Sequence, residues 1–274
     1  MREVKVESKE WLQQYLVEIE KWEKGQKGLW FWDKISRLPF KILDRFTPKF
    51  IQEKLNQMIG ELGKYVQTGG QYLVSEKGVL SRAERHANIP LTTIEDVGQL
   101  SIEQMTELTE QIVKERKKFA TVQGATTGIG GIFTLAIDVP AVLGTALKTL
   151  QEIAILHGYD PKQDEERVFI VKCLQFASSD IVGKEAILNE LSRLQKNSDD
   201  KEEMISQLKG WQEVFYTYRD QYGWKKLFQM IPVLGMVFGA YANKGMIEDV
   251  SEVGMMLYRK RRVYEKMQKY NEAV

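Results

Sequence analysis

Few side chains in this sequence are of the types that catalyse reactions or bind metals. It contains two histidines, His86 and His157, and one cysteine, Cys173. These residues are far apart in the sequence and do not have the spacing of metal ligands. Cys173 lies in an apolar helical stretch, which favours a buried, unreactive thiol. The sequence therefore predicts no metal and no cofactor, and it gives no support to an enzymatic activity.

His157 and Asp138 are the two remaining candidates for a chemical role. His157 stands near the predicted end of a helix, where an imidazolium would be stabilised by the helix dipole, and we expect this role rather than catalysis. Asp138 precedes Val139 and Pro140, and the proline disfavours a helical Val139. We expect Asp138 to cap a helix that begins near Pro140. The alternatives are a buried carboxylate that binds a cation or a basic group of a partner, and a hydrolase that uses Asp138 or His157.

Asp138 is the one charged residue in an otherwise uncharged, mostly apolar run, 119–147. Gly124, Gly128 and Gly131 lie on one side of a helix, because their spacings are four and three. Several glycines in one helix indicate either close packing against another helix or a small-residue face in a membrane. The sequence TGIGG lacks the lysine of a phosphate-binding loop. A second run, 227–243, also combines closely spaced glycines with a proline.

Length and polarity argue against a spanning helix in either run. A spanning helix needs about 20 predominantly apolar residues, whereas polar side chains interrupt the first run and a carboxylate in lipid is costly. We expect the two runs to pair as central helices of a bundle, with a reversible membrane contact as the alternative. The candidate binding residues of the first run are Gly124, Gly128, Gly131, Asp138 and Pro140.

Aromatic and basic residues concentrate near the N-terminus. Four of the six tryptophans lie within the first 32 residues, and Trp30 and Trp32 are flanked by lysines. This combination is typical of membrane interfaces, and it makes both tryptophans candidate binding residues. The alternative is that these rings anchor the N-terminal helix on the rest of the protein. The basic cluster at 259–262 is expected to form a solvated face.

The elements that carry these residues are predicted to be helices throughout. Apolar residues recur at spacings of three and four, and strand-like alternation is nearly absent. We therefore predict an all-α fold, a single helical bundle with two central glycine-rich apolar segments. The net charge of +1 provides no field to attract nucleic acid, which we exclude as a partner. A single cysteine and the absence of an apolar N-terminal segment predict a cytoplasmic protein.

The first half of the chain gives four local predictions. An amphipathic helix opens it, with Trp11, Tyr15, Ile19 and Trp22 on one face. A second helix covers about 48–74. The region 78–98 is polar, and its proline interrupts any helix there. The sequence SIEQ from Ser101 predicts a capping box that starts a helix at Ile102.

The second half of the chain gives three further local predictions. A helix restarts at Pro140 and continues to Gly158. Asp160-Pro161 predicts the start of the next helix, with the proline at its first position. Further helices cover about 180–194 and 248–269.

The motifs GATTGIGG, IDVP, HGYDP and EERVFI, in this order, resemble the central signature of the EcsC family. The sequence IPVLGMVFGAYAN is similar to the second glycine-bearing segment of that family. The resemblance covers about 54–262, with His157-Gly158 where relatives often have tyrosine-glycine. We accordingly divide the chain into a tryptophan-rich helix and linker, 1–35, and an EcsC-like all-α domain, 36–274.

The resemblance implies a bacterial-type helical protein of unsettled biochemical function and transfers no catalytic residue. The family takes its name from an operon that also encodes the ATPase and membrane subunits of an ABC transporter. We therefore expect a non-enzymatic, membrane-peripheral protein on the inner face of the cell membrane, an accessory to an ABC transporter or secretion system. Its expected partner is a membrane surface or membrane protein. The alternative is a soluble helical module that binds a lipid or other apolar ligand between the glycine-rich helices.

Overall fold

The computed structural model describes residues 7–26, 49–127, 139–178, 181–194 and 243–272, and every regular element in these ranges is helical. The all-α prediction is therefore confirmed for this part of the chain. The α-helices are α1 (Lys9–Gly25), α2 (Lys49–Thr68), α3 (Glu76–Ala87), α4 (Ile94–Gly98), α5 (Ile102–Thr127), α6 (Val139–Leu156), α7 (Asp164–Ser178), α8 (Ile181–Leu194) and α9 (Asn243–Glu272). A short 3₁₀ helix, Gly70–Tyr72, follows α2.

The long helix α9 and the apolar helix α6 form the centre of the bundle. α9 packs against α1, α5, α6 and α7. The α6 side chains Leu147, Leu150 and Ile153 are at most 1% exposed. A Cβ atom on Gly254 would lie 2.8 Å from Cδ2 of Leu150. A glycine on α9 therefore allows close approach of α6, the role that the sequence suggested for the glycine-rich run.

The first helix docks through a face that differs from the predicted one. Leu12 and Ile19 are fully buried, whereas Trp11 is 58% exposed. Trp22 is partly buried, with its indole nitrogen Nε1 donating to Oε1 of Glu252 at 2.7 Å. The prediction was wrong for Trp11, because the buried stripe of α1 passes through Leu12 instead.

The region around Pro90 contains two helices, which the polar composition of 78–98 had concealed. Ser75 caps α3, and Asn88 ends it with a left-handed backbone, φ 53°. After Pro90, Thr93 and Asp96 form a capping box that starts α4. The proline interrupts the helix as predicted, but flanking capping residues build a helix on each side.

Gly158, two residues after the last residue of α6, determines how this helix ends. Gly158 adopts φ +80°, and its N–H donates to the carbonyl of Ile155 at 2.9 Å. The N–H of Tyr159 donates to the carbonyl of Ala154 at 3.0 Å. This pair of hydrogen bonds is the Schellman arrangement, which favours glycine at the left-handed position. A Cβ atom on Gly158 would lie 2.8 Å from Cα of Gly98, so the glycine also brings α4 against the end of α6.

The predicted helix start at Asp160-Pro161 is wrong by three residues, because Pro161 was expected at the first helical position and α7 begins at Asp164. Asp160 instead accepts from the N–H of Lys162 through Oδ1 at 2.9 Å. The N–H of Gln163 donates to the backbone carbonyl of Asp160 at 3.1 Å. Asp160 therefore stabilises a turn that precedes the helix.

Candidate functional site

The residues predicted to bind lie mostly outside the described part of the chain. Gly124 belongs to the last turns of α5, and Pro140 is the second residue of α6. The helix therefore restarts next to Pro140 as predicted, although its first residue is Val139, which was expected outside the helix. Gly128, Gly131, Asp138, Trp30 and Trp32 fall outside the described residues, as does most of the second glycine-bearing run, 227–243. The capping role of Asp138 and the pairing of the two runs stay predictions.

The described helices show where those segments join the bundle. At the end of α1, the Trp22 ring lies 5.7 Å from the Phe176 ring near the end of α7, centroid to centroid. Nζ of Lys184, near the start of α8, lies 5.6 Å from the same Phe176 ring and 3.5 Å from Oε1 of Gln26. Because Trp22 also contacts Glu252 in the first half of α9, the end of α1 lies on the side of the bundle where α9 begins.

The ends that flank the glycine-rich run lie on the same side. Nζ of Lys266, near the end of α9, donates to the carbonyl of Leu100 at 2.8 Å, immediately before α5. α5 and α9 are therefore antiparallel, and α5 ends where α9 begins. Gly254 faces Ile153, and Nε of Arg262 donates to the His157 carbonyl at 2.9 Å, so α6 runs parallel to α9. We call this side, defined by Gln26, Thr127, Val139 and Asn243, the junction end.

A buried carboxylate organises the opposite half of the bundle. Glu166 of α7 accepts from Nη1 of Arg261 at 2.8 Å and from the Tyr258 hydroxyl. Burial raises the pKa of the Glu166 carboxyl, although the Arg261 guanidinium acts in the opposite direction. The Arg261 guanidinium also lies 4.0 Å from the Tyr159 ring centroid. Glu166 therefore joins α7 to α9 through a charged hydrogen bond in the core.

The basic cluster of α9 is not the solvated face that the sequence predicted. Arg261 pairs with Glu166, and Nζ of Lys260 lies 2.7 Å from Oε1 of Glu23. Arg262 donates to the His157 carbonyl and pairs with Glu265 at 2.8 Å. The prediction was wrong because the cluster lies where α9 meets α1, α6 and α7, so its charges bind acidic groups and carbonyls of neighbouring elements.

A second buried carboxylate joins α3, α5 and α6. Glu152 is 3% exposed, and Arg116 binds both of its oxygens at 2.8 Å. Arg82 of α3 also donates to Oε1 of Glu152. A bidentate arginine with a second arginine is a strong neutralising set for one carboxylate. Glu152 therefore stabilises the packing of three helices.

Neither His157 nor Cys173 is placed for chemistry. His157 is 1% exposed, and its Nδ1 lies 2.8 Å from the carbonyl oxygen of Ile153, to which it donates. Burial lowers the pKa of His157 to about 4, so the ring is neutral. The expected imidazolium at the helix end is therefore wrong, because burial disfavours the charged ring and the nearby Arg262 and Arg259 charges act in the same direction. Cys173 is buried as predicted, and burial raises the pKa of its thiol.

Sequence reasoning missed the charged residues Glu152, Glu166 and Arg167. Nε of Arg167 donates to the Val66 carbonyl at 2.9 Å, and Nη2 donates to the Gln67 carbonyl at 3.2 Å. The guanidinium therefore holds the last turn of α2 against α7. The available signal was an isolated charge in an apolar stretch, as for Glu152 beside Leu150 and Ile153, because such a group is buried only with partners.

Two kinds of feature are absent from the described residues. Among them, no group of His, Cys, Asp and Glu side chains could hold a metal ion. In the same ranges, no helix is long and apolar enough to cross a membrane.

Comparison with known proteins assigns the family. A profile of the EcsC protein family matches residues 13–263. The chain belongs to the EcsC protein family. "Uncharacterized protein YdbA" of Bacillus subtilis (strain 168) is 54% identical over 262 residues, which cover 95% of this chain and 96% of that protein. "Protein EcsC" of the same organism is 28% identical over 220 residues, which cover 80% of this chain and 87% of that protein. No solved structure matches the chain.

The EcsC match reaches further towards the N-terminus than the signature motifs did, because it begins within α1. It ends in α9 just after the basic cluster. The EcsC region therefore includes most of α1, α9 up to its basic cluster, and the helices that carry Glu152 and Glu166.

Proposed function

We propose that this EcsC-family protein is a non-enzymatic, membrane-peripheral helical protein that meets the membrane with its junction end. The supporting observation is the convergence of helix ends. Four of the described residues that flank segments 27–48, 128–138 and 195–242 lie on this side of the bundle, namely Gln26, Thr127, Val139 and Asn243. These are the segments in which the sequence concentrates its aromatic and uncharged apolar residues.

The chemistry of those segments suits a membrane interface. Trp30 and Trp32 stand among lysines, and this pairing places aromatic rings at headgroup level and cations beside anionic lipid. The run 119–147 is apolar but interrupted by Asp138 and Pro140, which favours shallow contact over spanning. The family setting beside an ABC transporter extends the proposal to an accessory of such a transporter or of a secretion system.

Co-sedimentation with vesicles tests the membrane proposal. We expect the unmodified protein to sediment with vesicles that contain anionic lipid and much less with neutral ones. Because a buried aromatic side chain contributes about 1.5–3 kcal/mol, Trp30→Ala with Trp32→Ala should weaken anionic-vesicle binding by roughly tenfold or more.

The matched control is Trp11→Ala with Tyr264→Ala, which removes two exposed aromatic side chains far from the junction end. This control should bind within about twofold of the unmodified protein, since non-interfacial rings add little. Absence of binding to both kinds of vesicle, or equal losses in the two double variants, would contradict the proposal. If the protein binds neither kind of vesicle and native mass spectrometry shows a co-purified lipid, the apolar-ligand alternative is favoured.

A further inference from the structure

We draw no further inference here: the strongest candidate, the buried Tyr65 hydroxyl in the core where α2 packs against α7, has no hydrogen-bond partner among the described residues, but nothing in that part of the chain shows which ligand would bind it.

Discussion

His157 is neutral and buried against Tyr258, with ring centroids 5.8 Å apart, and this placement makes a prediction about acid stability. Its pKa is lowered from 6.5 to about 4 in the folded protein. Between these values the unfolded chain binds a proton that the folded protein does not, so the free energy of unfolding falls as pH falls. The full effect is about 3 kcal/mol.

We expect His157→Gln to flatten this dependence between pH 6.5 and pH 4, because glutamine does not titrate there. Urea unfolding at several pH values measures the slope. His86→Gln, at the exposed histidine, is the matched control. An equal change of slope in the two variants would contradict the assignment of the acid response to His157.

At the residue scale, the charged side chains that hold the helices together are not the ones that stand out in the sequence. Glu152, Glu166 and Arg167 are unremarkable as letters, yet each is buried and bound by groups from other helices. The helices that they join are distant in sequence, so local spacing contains no record of these contacts, although Arg167 also pairs with Asp164 in its own helix. Removal of one partner from such a buried pair typically costs about 3–5 kcal/mol, which makes these residues the main polar constraints on packing.

Among the elements, the start of α5 gives the clearest prediction. Oγ of Ser101 accepts from the N–H of Gln104 at 3.1 Å, and the Gln104 side chain accepts from the N–H of Ser101 at 3.0 Å. Ser101→Ala should lower the free energy of unfolding by about 1 kcal/mol, since one capping hydrogen bond is lost. Thermal or urea unfolding measures the loss.

Ser81→Ala is the control for Ser101→Ala, because Ser81 is exposed within α3. It should change stability by no more than about 0.5 kcal/mol. A loss at Ser81 as large as that at Ser101 would show that the effect does not come from the cap.

The start of a helix was predicted correctly where the capping residues are neighbours in sequence. The prediction was wrong where residues of another helix determine the start. The capping box at Ser101 uses residues three apart and was recognisable in the sequence. The start of α7 was not, because Arg167 takes the carbonyls of Val66, Gln67 and Lys162 and so fixes where that helix meets α2. Similarly, α5 receives an additional cap from Glu7, whose Oε1 accepts from the N–H of Ile102 at 2.8 Å.

At the scale of the whole molecule, the junction end predicts how the protein partitions in cells. We expect it in the membrane fraction that high salt releases, because contacts through lysine and tryptophan are partly electrostatic and salt weakens them. Fractionation into cytosol, salt wash and detergent extract measures this. Trp30→Ala with Trp32→Ala should shift the protein to the cytosol. Recovery of the unmodified protein only in detergent, or entirely in cytosol, would contradict the peripheral assignment.

By itself, the sequence determined the helical class, the family and those helix limits that depend on neighbouring residues, including the Ser101 cap and the end of α6 at Gly158. These features arise from periodicity, capping and glycine geometry, which act within a few residues. Only the tertiary structure decided that the partly buried 259–262 cluster pairs with neighbouring helices, that His157 is uncharged, and that acidic residues of α1 face basic residues of α9. Each of these depends on the desolvation and pairing of groups distant in the chain, and such contacts exist only after the helices have packed.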